Sequence, residues 1–406
     1  MIFVNKYIYN IFGTISISII LRMLLLNEYG DTTLDNEWGT LFFNLKHNNI
    51  LAFRSFDDVL LPTVYMPPLY IYFIYVVDFL IFNNEEYLVT TILIIQILLS
   101  AVSTYTFYKI NLIFFSKKIS LISSYIFCFF PLYIYSTLQI SSISIQILLS
   151  LVFLFFILKI MCGSKNFVTI FALGFISGLS MLLRGEFILI FLFSITYLIY
   201  LKLMDFKKLL IIVLITIVTI SPYLVRNYLN FQKVTITKSF GYNLWKGNNI
   251  DSTVEGSESF KAFNSEGINQ KIQNLEKNNL YDFNYDQIFL NYSIEFIKKD
   301  PILFVKRYLK KFFSFTFFNI NSNYPNYYNF LNILPSILLS IFFMLSIFFA
   351  YQKKSTYNYL VFNLFLTIAI FSLFFILPRY KLIILPTQLI IINFLLAKYF
   401  RLGQKN

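Results

Sequence analysis

Long apolar runs alternate with short polar intervals along almost the whole chain. A helix needs roughly 20 apolar residues to cross the hydrocarbon core of a bilayer. Runs near that length, some of them short, lie at 7–26, 87–108, 119–135, 143–161, 167–183, 187–201, 209–225, 331–350, 358–377 and 382–397. This pattern predicts an all-α polytopic membrane protein with about ten transmembrane helices.

A further apolar run at 67–82 decides the predicted orientation of everything after it. It begins with Pro67-Pro68 and contains Asp78. If it does not cross, the basic clusters fall on one side of the membrane, as the positive-inside rule requires. Those clusters lie near residues 6, 109–118, 159–165, 202–208, 353–354 and 398–405. We therefore expect a helix in the outer interface, both termini in the cytoplasm, and a multi-pass inner (cytoplasmic) membrane protein.

Two polar intervals divide the chain into three predicted parts. Residues 1–225 form an N-terminal transmembrane core that includes an outer loop at 27–86, and residues 331–406 form C-terminal transmembrane helices. Between them, 226–330 is expected to be a loop on the periplasmic side with amphipathic helices. Within it, 301–318 carries four basic residues at i,i+4 spacing, which predicts a basic helix face along the membrane surface. These are Lys306, Arg307, Lys310 and Lys311.

Composition agrees with the membrane class and excludes several others. The mean hydropathy is +0.68, with 58% hydrophobic and only 13% charged residues. The net charge of +13 lies in clusters between apolar runs, which is typical of topology signals and predicts no nucleic-acid partner. With one histidine and two cysteines, Cys128 and Cys162, without CxxC spacing, the chain lacks a histidine-based triad or a multi-histidine metal site.

The outer loop concentrates acidic residues in a chain that has few of them. Six of the 20 acidic residues lie between Asn27 and Pro68, namely Glu28, Asp31, Asp35, Glu37, Asp57 and Asp58. A carboxylate at the low-dielectric margin of a bilayer can act as a general base. Asp35 and Glu37 are the candidates, and the alternative is a solvated connector without a chemical role.

Basic residues at the predicted outer ends of helices run against the positive-inside bias. Arg184 lies beside Glu186 in a tight turn, Arg226 follows another helix, and Arg379 and Lys381 precede the last one. Arginine binds phosphate through a planar fork of donors, so this convergence suits a lipid-phosphate site. Interfacial snorkelling, or a local Arg–Glu pair closing the turn, is the alternative.

Several motifs, in order from about residue 27 to 390, resemble those of bacterial members of glycosyltransferase family 39. The segment SPYLVRNYLNFQKVTITKSFGYNLWKGNN (221–249) has that family's Arg-Asn-Tyr and Gly-Tyr-Asn-Leu-x-x-Gly-Asn-Asn runs. LDNEWGTLFFNL and PTVYMPPLYIYF resemble its acidic–aromatic and Pro-Pro-Leu-Tyr segments. GLSMLLRGEF resembles its arginine-containing turn, and PRYKLIILP its Arg-Tyr-Lys motif.

The resemblance implies a GT-C fold with juxtamembrane helices in the first outer loop. It also implies transfer of a sugar from a polyprenyl-phosphate donor on the periplasmic face, with a first-loop carboxylate as catalytic base. Glu37, which precedes Trp38, is preferred over Asp35. The expected donor-phosphate residues are Arg184, Arg226, Arg379, Tyr380 and Lys381. The expected substrate contacts are Tyr242, Asn243, Asn248 and Asn249.

The chain also departs from that family. Where the aminoarabinose transferases have a glutamate before the Pro-Pro segment, this chain has Tyr65-Met66, and Ser141 or Ser142 replaces an acidic residue of a short outer loop. A divalent metal therefore has no evident ligands, and no other cofactor is expected. The acceptor is a glycolipid, a polymer or a protein. The other functions open to this sequence are a lipid-linked saccharide flippase or transporter and a surface-polysaccharide polymerase.

Overall fold

A computed structural model describes residues 2–258, 267–324 and 327–399. The first half contains α1 (Ile2–Tyr29), α2 (Glu37–Asn48), β1 (Ala52–Phe56), β2 (Val59–Pro62), α3 (Leu69–Leu80), α4 (Glu85–Phe114), α5 (Lys117–Cys128), α6 (Pro131–Ser136), α7 (Ile143–Met161), α8 (Phe167–Leu183) and α9 (Phe187–Tyr200). The second half contains α10 (Phe206–Phe231), α11 (Phe240–Asn248), α12 (Ile268–Gln273), α13 (Tyr281–Lys299), α14 (Pro301–Thr316), α15 (Phe330–Phe349), α16 (Ser355–Ser372), a 3-10 turn (Pro378–Tyr380) and α17 (Lys381–Tyr399).

Within these described residues, seven helices are long and apolar enough to cross a membrane. They are α1, α4, α7, α10, α15, α16 and α17. α3, α8 and α9 are apolar but shorter. The prediction of a multi-pass, mostly helical membrane protein is confirmed, and the predicted number of about ten spans is not established by helix length.

One predicted span, 119–135, is two helices rather than one. α5 ends at Cys128 and α6 starts at Pro131, with extended backbone at Phe130 (φ −63°, ψ 119°). Proline has no N–H to continue the helix, and it disfavours helical backbone in the residue before it. Arg22 of α1 donates to the Cys128 carbonyl (3.0 Å) at this break. The carbonyl group at the helix break thus has a cationic hydrogen-bond donor within the bundle.

The run at 67–82 forms a short helix held by a buried ion pair. α3 has 12 residues, which is about 18 Å of helix and less than the hydrocarbon thickness. Lys46 of α2 lies 3.1 Å from the Asp78 carboxylate of α3 and 2.8 Å from Glu85 of α4. Since α2 is polar and packs beside α3, these contacts favour the expected interfacial position for α3.

α17 is the central helix of the bundle, and its apolar residues are buried on nearly every side. It packs against α5, α7, α15 and α16. Two polar contacts cross this interior, since Asn393 donates to Asn111 (2.7 Å) and Gln388 donates to the Thr316 carbonyl (2.8 Å). These bonds satisfy amide N–H groups that would be costly if left alone in an apolar environment, whereas the Gln388 Oε1 has no hydrogen-bond partner among the described residues.

A small β-hairpin, which the sequence analysis did not predict, lies in the first polar loop. β1 and β2 are antiparallel and joined by Asp57 and Asp58, both with positive φ (48° and 65°). Two consecutive left-handed residues make the turn that suits the twist of a hairpin, and aspartate tolerates that conformation better than most residues. The run FDDV is the local signal for it.

The two polar intervals pack against each other. Arg54 of β1 forms an ion pair with Asp282 of α13, and the Thr63 hydroxyl donates to the same carboxylate. The backbone N–H of Lys238 donates to the Val64 carbonyl (2.7 Å). The first loop and the 226–330 segment therefore lie at the same end of the bundle, as expected for two loops on one side of a membrane.

Candidate active site

Glu37 is the first residue of α2 and is exposed at its N-terminus. Asn36 caps this helix by accepting from the backbone N–H groups of Trp38 (3.1 Å) and Gly39 (3.2 Å). Trp38 packs edge-on against Tyr70 at 5.0 Å, which fixes where the helix begins. A carboxylate in the first helical turn interacts favourably with the helix dipole. Asp35 is also exposed and lies just before the cap.

Four distant parts of the chain meet in a set of contacts that we call the rim cluster. Its members come from the end of the first loop, the α8–α9 turn, the start of α11 with its flanking residues, and the 3-10 turn before α17. They are Tyr65, Arg184, Thr237, Tyr242, Lys246, Glu258, Phe375 and Tyr380.

The contacts of the rim cluster run from one segment to the next. The Thr237 hydroxyl donates to the Tyr65 carbonyl (3.0 Å), and Thr237 packs against Gly185 of the α8–α9 turn. Arg184 directly precedes Gly185, and its guanidinium carbon lies 5.4 Å from the centre of the Tyr380 ring. Such a cation–π contact orients the guanidinium without occupying its N–H donors.

The second half of the rim cluster returns to the first loop. Tyr380 packs against Phe375 (6.2 Å), and Lys246 lies 4.8 Å from the centre of the Phe375 ring. Lys246 also forms an ion pair with Glu258. Tyr242 hydrogen-bonds to that carboxylate and packs against Tyr65 at 5.9 Å.

Electrostatics connect Glu37 to the rim cluster. Burial raises the pKa of Tyr65, and Tyr285 raises it further while Arg54 opposes the shift; the charges of Glu258 and Glu37 add smaller upward contributions. Burial likewise raises the pKa of Tyr242, with Tyr65 and Glu258 adding to the effect. Both phenols therefore stay protonated and can donate a hydrogen bond to an oxygen-rich ligand. The carboxylate predicted to be the base lies close enough for its charge to act on this cluster.

Arg184 is the cluster's most available cation. Its Nε is buried and has no hydrogen-bond partner among the described residues, and its Nη1 is 3.9 Å from Glu186. The side chain is about one quarter exposed. A guanidinium that is oriented by Tyr380 and only loosely paired retains donors for an anion. The rim cluster thus contains three of the predicted residues, namely Arg184, Tyr242 and Tyr380.

Lys246 and Glu258 are cluster members that the sequence analysis did not select. Lys246 lies in the run LWKGNN, between positions that were selected, and Glu258 lies in the polar stretch after it. An available signal was the one-turn spacing of Tyr242 and Lys246 on α11, which puts both side chains on one helix face. Glu258 carried no comparable signal, because its position depends on the return of the chain towards α11.

Arg226 is used to hold the first loop in place. It donates to the Thr63 carbonyl (2.9 Å), to the Leu51 carbonyl (3.3 Å) and to the Asn227 side chain (2.8 Å). Its guanidinium therefore joins the end of α10 to both flanks of the β-hairpin. The structure does not place it in the rim cluster.

The Gly-Tyr-Asn-Leu-x-x-Gly-Asn-Asn motif forms α11, and most of it serves packing. A Cβ at Gly241 would lie 2.2 Å from the Asp286 carbonyl oxygen, and a Cβ at Gly247 would lie 1.9 Å from that of Phe374. Only glycine permits approaches this close. Of the motif's predicted substrate contacts, Tyr242 alone lies in the rim cluster.

The three asparagines of the motif make internal hydrogen bonds. Asn248 donates to the carbonyls of Leu244 and Leu373 (both 2.8 Å) and is buried. Asn249 donates to the Ser257 carbonyl (2.7 Å) and is also buried. Asn243 is half-buried and donates to Ser239 (3.4 Å). Asn248 therefore holds the C-terminal end of α11 in place. Asn249 holds the chain that leads from α11 to Glu258.

The predicted basic face of 301–318 is divided between two directions. Lys306 and Lys310 are exposed on α14, as expected for contact with headgroups. Arg307 and Lys311 instead face inward. Arg307 donates to the Asn249 carbonyl (2.6 Å), and Lys311 donates to the Phe374 carbonyl (2.6 Å) and the Asn248 side chain (3.0 Å). A helix docked against α11 satisfies carbonyl groups that a helix lying freely on the membrane would not reach.

The last two predicted phosphate residues lie apart from each other. Arg379 is exposed. Lys381 is buried. It lines a separate cavity, to which no residue of the rim cluster contributes. Among the described residues, no group of three or more His, Cys, Asp or Glu side chains is arranged to hold a metal ion.

Comparison with known proteins adds no relative to these observations. No protein-family model matches the chain, and no curated protein matches it. The likeness to glycosyltransferase family 39 therefore rests on the ordered sequence motifs alone.

Proposed function

We propose that this protein is a membrane glycosyltransferase that moves a sugar from a polyprenyl-phosphate donor to an envelope acceptor. The observation that carries the proposal is the rim cluster, where a loosely paired arginine and two protonated tyrosines converge from distant segments. The charge of the first-loop carboxylate Glu37 acts on one of these tyrosines, Tyr65. Such a set suits a substrate that has both a phosphate and a hydroxylated ring. The motifs that resemble glycosyltransferase family 39 supply residues in all four of the segments that form the rim cluster.

In the proposed reaction, Glu37 removes the proton from an acceptor hydroxyl. The acceptor oxygen then attacks the anomeric carbon from the face opposite the phosphate, so the configuration is inverted. The bond between that carbon and the phosphate oxygen breaks, and its electron pair leaves on the polyprenyl phosphate. Asp35 is the second candidate for the base. A positioned general base contributes typically 10²–10⁴-fold to the rate.

Arg184 is the proposed partner of the departing phosphate, because charge develops there as the bond breaks. Arg379, which is exposed and directly precedes Tyr380 in the chain, is the second candidate for this role. Tyr65 and Tyr242 are proposed to donate hydrogen bonds to the sugar hydroxyls and to present ring faces to it. In this proposal the site faces the periplasm and the protein lies in the inner membrane.

Replacing Glu37 with Gln tests the proposed base while keeping the side-chain shape. We expect transfer of label from a polyprenyl-phosphate monosaccharide to fall about 10²–10⁴-fold in membranes that contain E37Q, since only the proton-accepting carboxylate is lost. Asp58→Asn is the matched control. It also neutralises an exposed first-loop acid, at a hairpin turn position that asparagine tolerates, and should leave transfer unchanged.

The outcomes separate the alternatives. Full transfer by both E37Q and D35N would remove the proposed base. Reorientation of the labelled lipid across the membrane, with the sugar–phosphate bond intact in the wild type, would instead identify a flippase. Repeated addition of sugars to one growing chain would identify a polymerase.

A further inference from the structure

The free face of α14 carries an exposed apolar stripe. Its members are between 45% and 80% exposed, namely Ile302, Val305, Leu309 and Phe313. They follow one another at spacings of three or four residues, so their side chains lie along one side of the helix. A continuous row of large apolar side chains in a polar interval marks a surface that contacts a membrane or a partner molecule.

The other side of α14 packs along a helix that is long and apolar enough to cross the membrane. The Tyr308 hydroxyl donates to the Ala369 carbonyl of α16 (3.2 Å). The Phe312 ring stacks on the Phe365 ring of α16, with 6.2 Å between the ring centres. α16 is a candidate span that ends at Ser372, so Phe365 lies about 10 Å inside that end. The contact brings the free face of α14 to the level of the bilayer surface.

The charges beside the stripe are basic. Lys306 and Lys310 are exposed and lie one turn apart along its edge. Two more exposed lysines precede the helix at 298–299, and α14 itself contains no acidic residue. Asp300, directly before the helix, caps it by accepting from the Leu303 backbone N–H (2.9 Å). A surface that covers the stripe therefore meets positive charge without a balancing carboxylate on the same helix.

We propose that this face of α14 binds anionic phospholipids of the bilayer. The stripe lies in the margin of the acyl chains, and Lys306 and Lys310 contact the headgroup phosphates, as in other amphipathic helices with a basic border. The inference does not depend on the glycosyltransferase assignment, because it uses no residue of the rim cluster. The competing occupants of the stripe are a second copy of this chain and a different protein.

The position of the stripe is tested with a nitroxide spin label in nanodiscs. The label is attached to L309C and, as a matched control, to N279C, after Cys128 and Cys162 are replaced by serine. Asn279 is exposed in the same polar interval but lies outside α14. We expect dissolved oxygen to relax the label at position 309 more strongly than a water-soluble nickel chelate does, because oxygen concentrates in lipid. The order should be reversed at position 279.

The preference for negative charge is tested by native mass spectrometry with phosphatidylglycerol and phosphatidylcholine of the same acyl chains. The variants are K306M/K310M, the charge-conserving K306R/K310R, and the matched control K233M/K271M. Lys233 and Lys271 are exposed lysines of the same polar interval that do not lie on α14.

Wild type, K306R/K310R and K233M/K271M should bind phosphatidylglycerol more tightly than phosphatidylcholine. K306M/K310M should bind phosphatidylglycerol roughly 25-fold more weakly than wild type, because each lysine near an anionic surface contributes about fivefold. Its binding of phosphatidylcholine should stay level.

Equal binding of phosphatidylglycerol by wild type and K306M/K310M would overturn the proposal. So would a label at position 309 that the nickel chelate relaxes as strongly as it does at position 279, since the stripe would then face water. A label that neither reagent reaches, together with the mass of a dimer or of a complex with another protein, would assign the stripe to a protein partner instead.

Discussion

At the scale of single residues, buried basic side chains in this protein are satisfied mainly by backbone carbonyl groups. Arg22 donates to the Cys128 carbonyl, Arg226 to that of Thr63, and Lys311 to that of Phe374. The chain has 33 basic and 20 acidic residues, so carboxylates are scarce. Carbonyls at the ends of helices lack intrahelical partners and carry partial negative charge, which makes them the available acceptors.

Lys311 is expected to make stability depend on pH. Burial, with Arg307 adding to it, lowers the pKa of the Lys311 ammonium to about 7 from its usual 10.5. Between these two values the unfolded chain holds the proton more tightly than the folded protein does. The free energy of unfolding therefore rises with pH across that window. Melting temperatures in detergent at about pH 7 and at about pH 9.5 measure the slope.

The comparison uses Lys311→Met, which removes the titrating group, and Lys310→Met, which removes an exposed lysine one residue away. K311M should lose most of the pH slope and K310M should keep it. K311M should also melt lower, because the carbonyls that accept from Lys311 would be left unpaired at about 1–3 kcal/mol. An unchanged slope in K311M would mean that those carbonyls keep the ammonium protonated throughout this range.

At the scale of elements, close backbone approach decides how α11 joins the 226–330 segment to the C-terminal helices. Gly241 lies against α13 and Gly247 lies against the chain that follows α16. Asn248 and Lys311 then connect the end of α11 to the carbonyl groups of that same chain. α11 thereby fixes the distance between Tyr242 and Tyr380 in the rim cluster.

Gly247→Ala is expected to disturb this junction. Its Cβ would lie 1.9 Å from the Phe374 carbonyl oxygen, so α11 or the 373–374 backbone must move. Overpacking of this kind costs about 1–3 kcal/mol. Gly13→Ala is the matched control, because nothing lies within 4 Å of its Cβ on α1. The melting temperature should fall for G247A and stay level for G13A, and equal values would show that the junction yields freely.

At the scale of the whole molecule, the contacts between the two polar intervals constrain the topology. Arg54 pairs with Asp282, and Lys277 lies 3.2 Å from Asp57. These pairs cannot form unless both intervals lie on the same side of the membrane. The exposed basic loop at Lys353 and Lys354 joins α15 to α16 and should lie on the other side, because α15 starts at the polar end and is long enough to cross.

Cysteine labelling in intact cells tests this arrangement. Single cysteines at Asp58 and Asn279 should react with a membrane-impermeant maleimide added outside, and one at Lys353 should react only after permeabilisation. Cys128 and Cys162 are replaced by serine first, since Cys162 is exposed. Labelling of Asp58 and Asn279 from different sides would contradict the contacts between the polar intervals. Labelling of all three from outside would contradict the proposed orientation.

The sequence by itself determined the class of the protein and the position of most helices. Apolar runs are local, and the need to satisfy every backbone group in lipid makes each long run a helix whatever surrounds it. The sequence also identified the rim-cluster residues Arg184 and Tyr380 as candidates, because charged and aromatic residues at the predicted ends of helices differ clearly from the apolar runs beside them.

Only the tertiary structure decided which polar residues are available for chemistry. Arg226, Asn248 and Asn249 lie in the same kinds of motif as Arg184 and Tyr242, but in the structure their donors bind backbone carbonyls. The partners of Arg226 and Asn248 lie more than 100 residues away, at Thr63 and Leu373, and no local pattern encodes such a pairing. The ion pair of Glu258 with Lys246 likewise depends on the return of the chain towards α11.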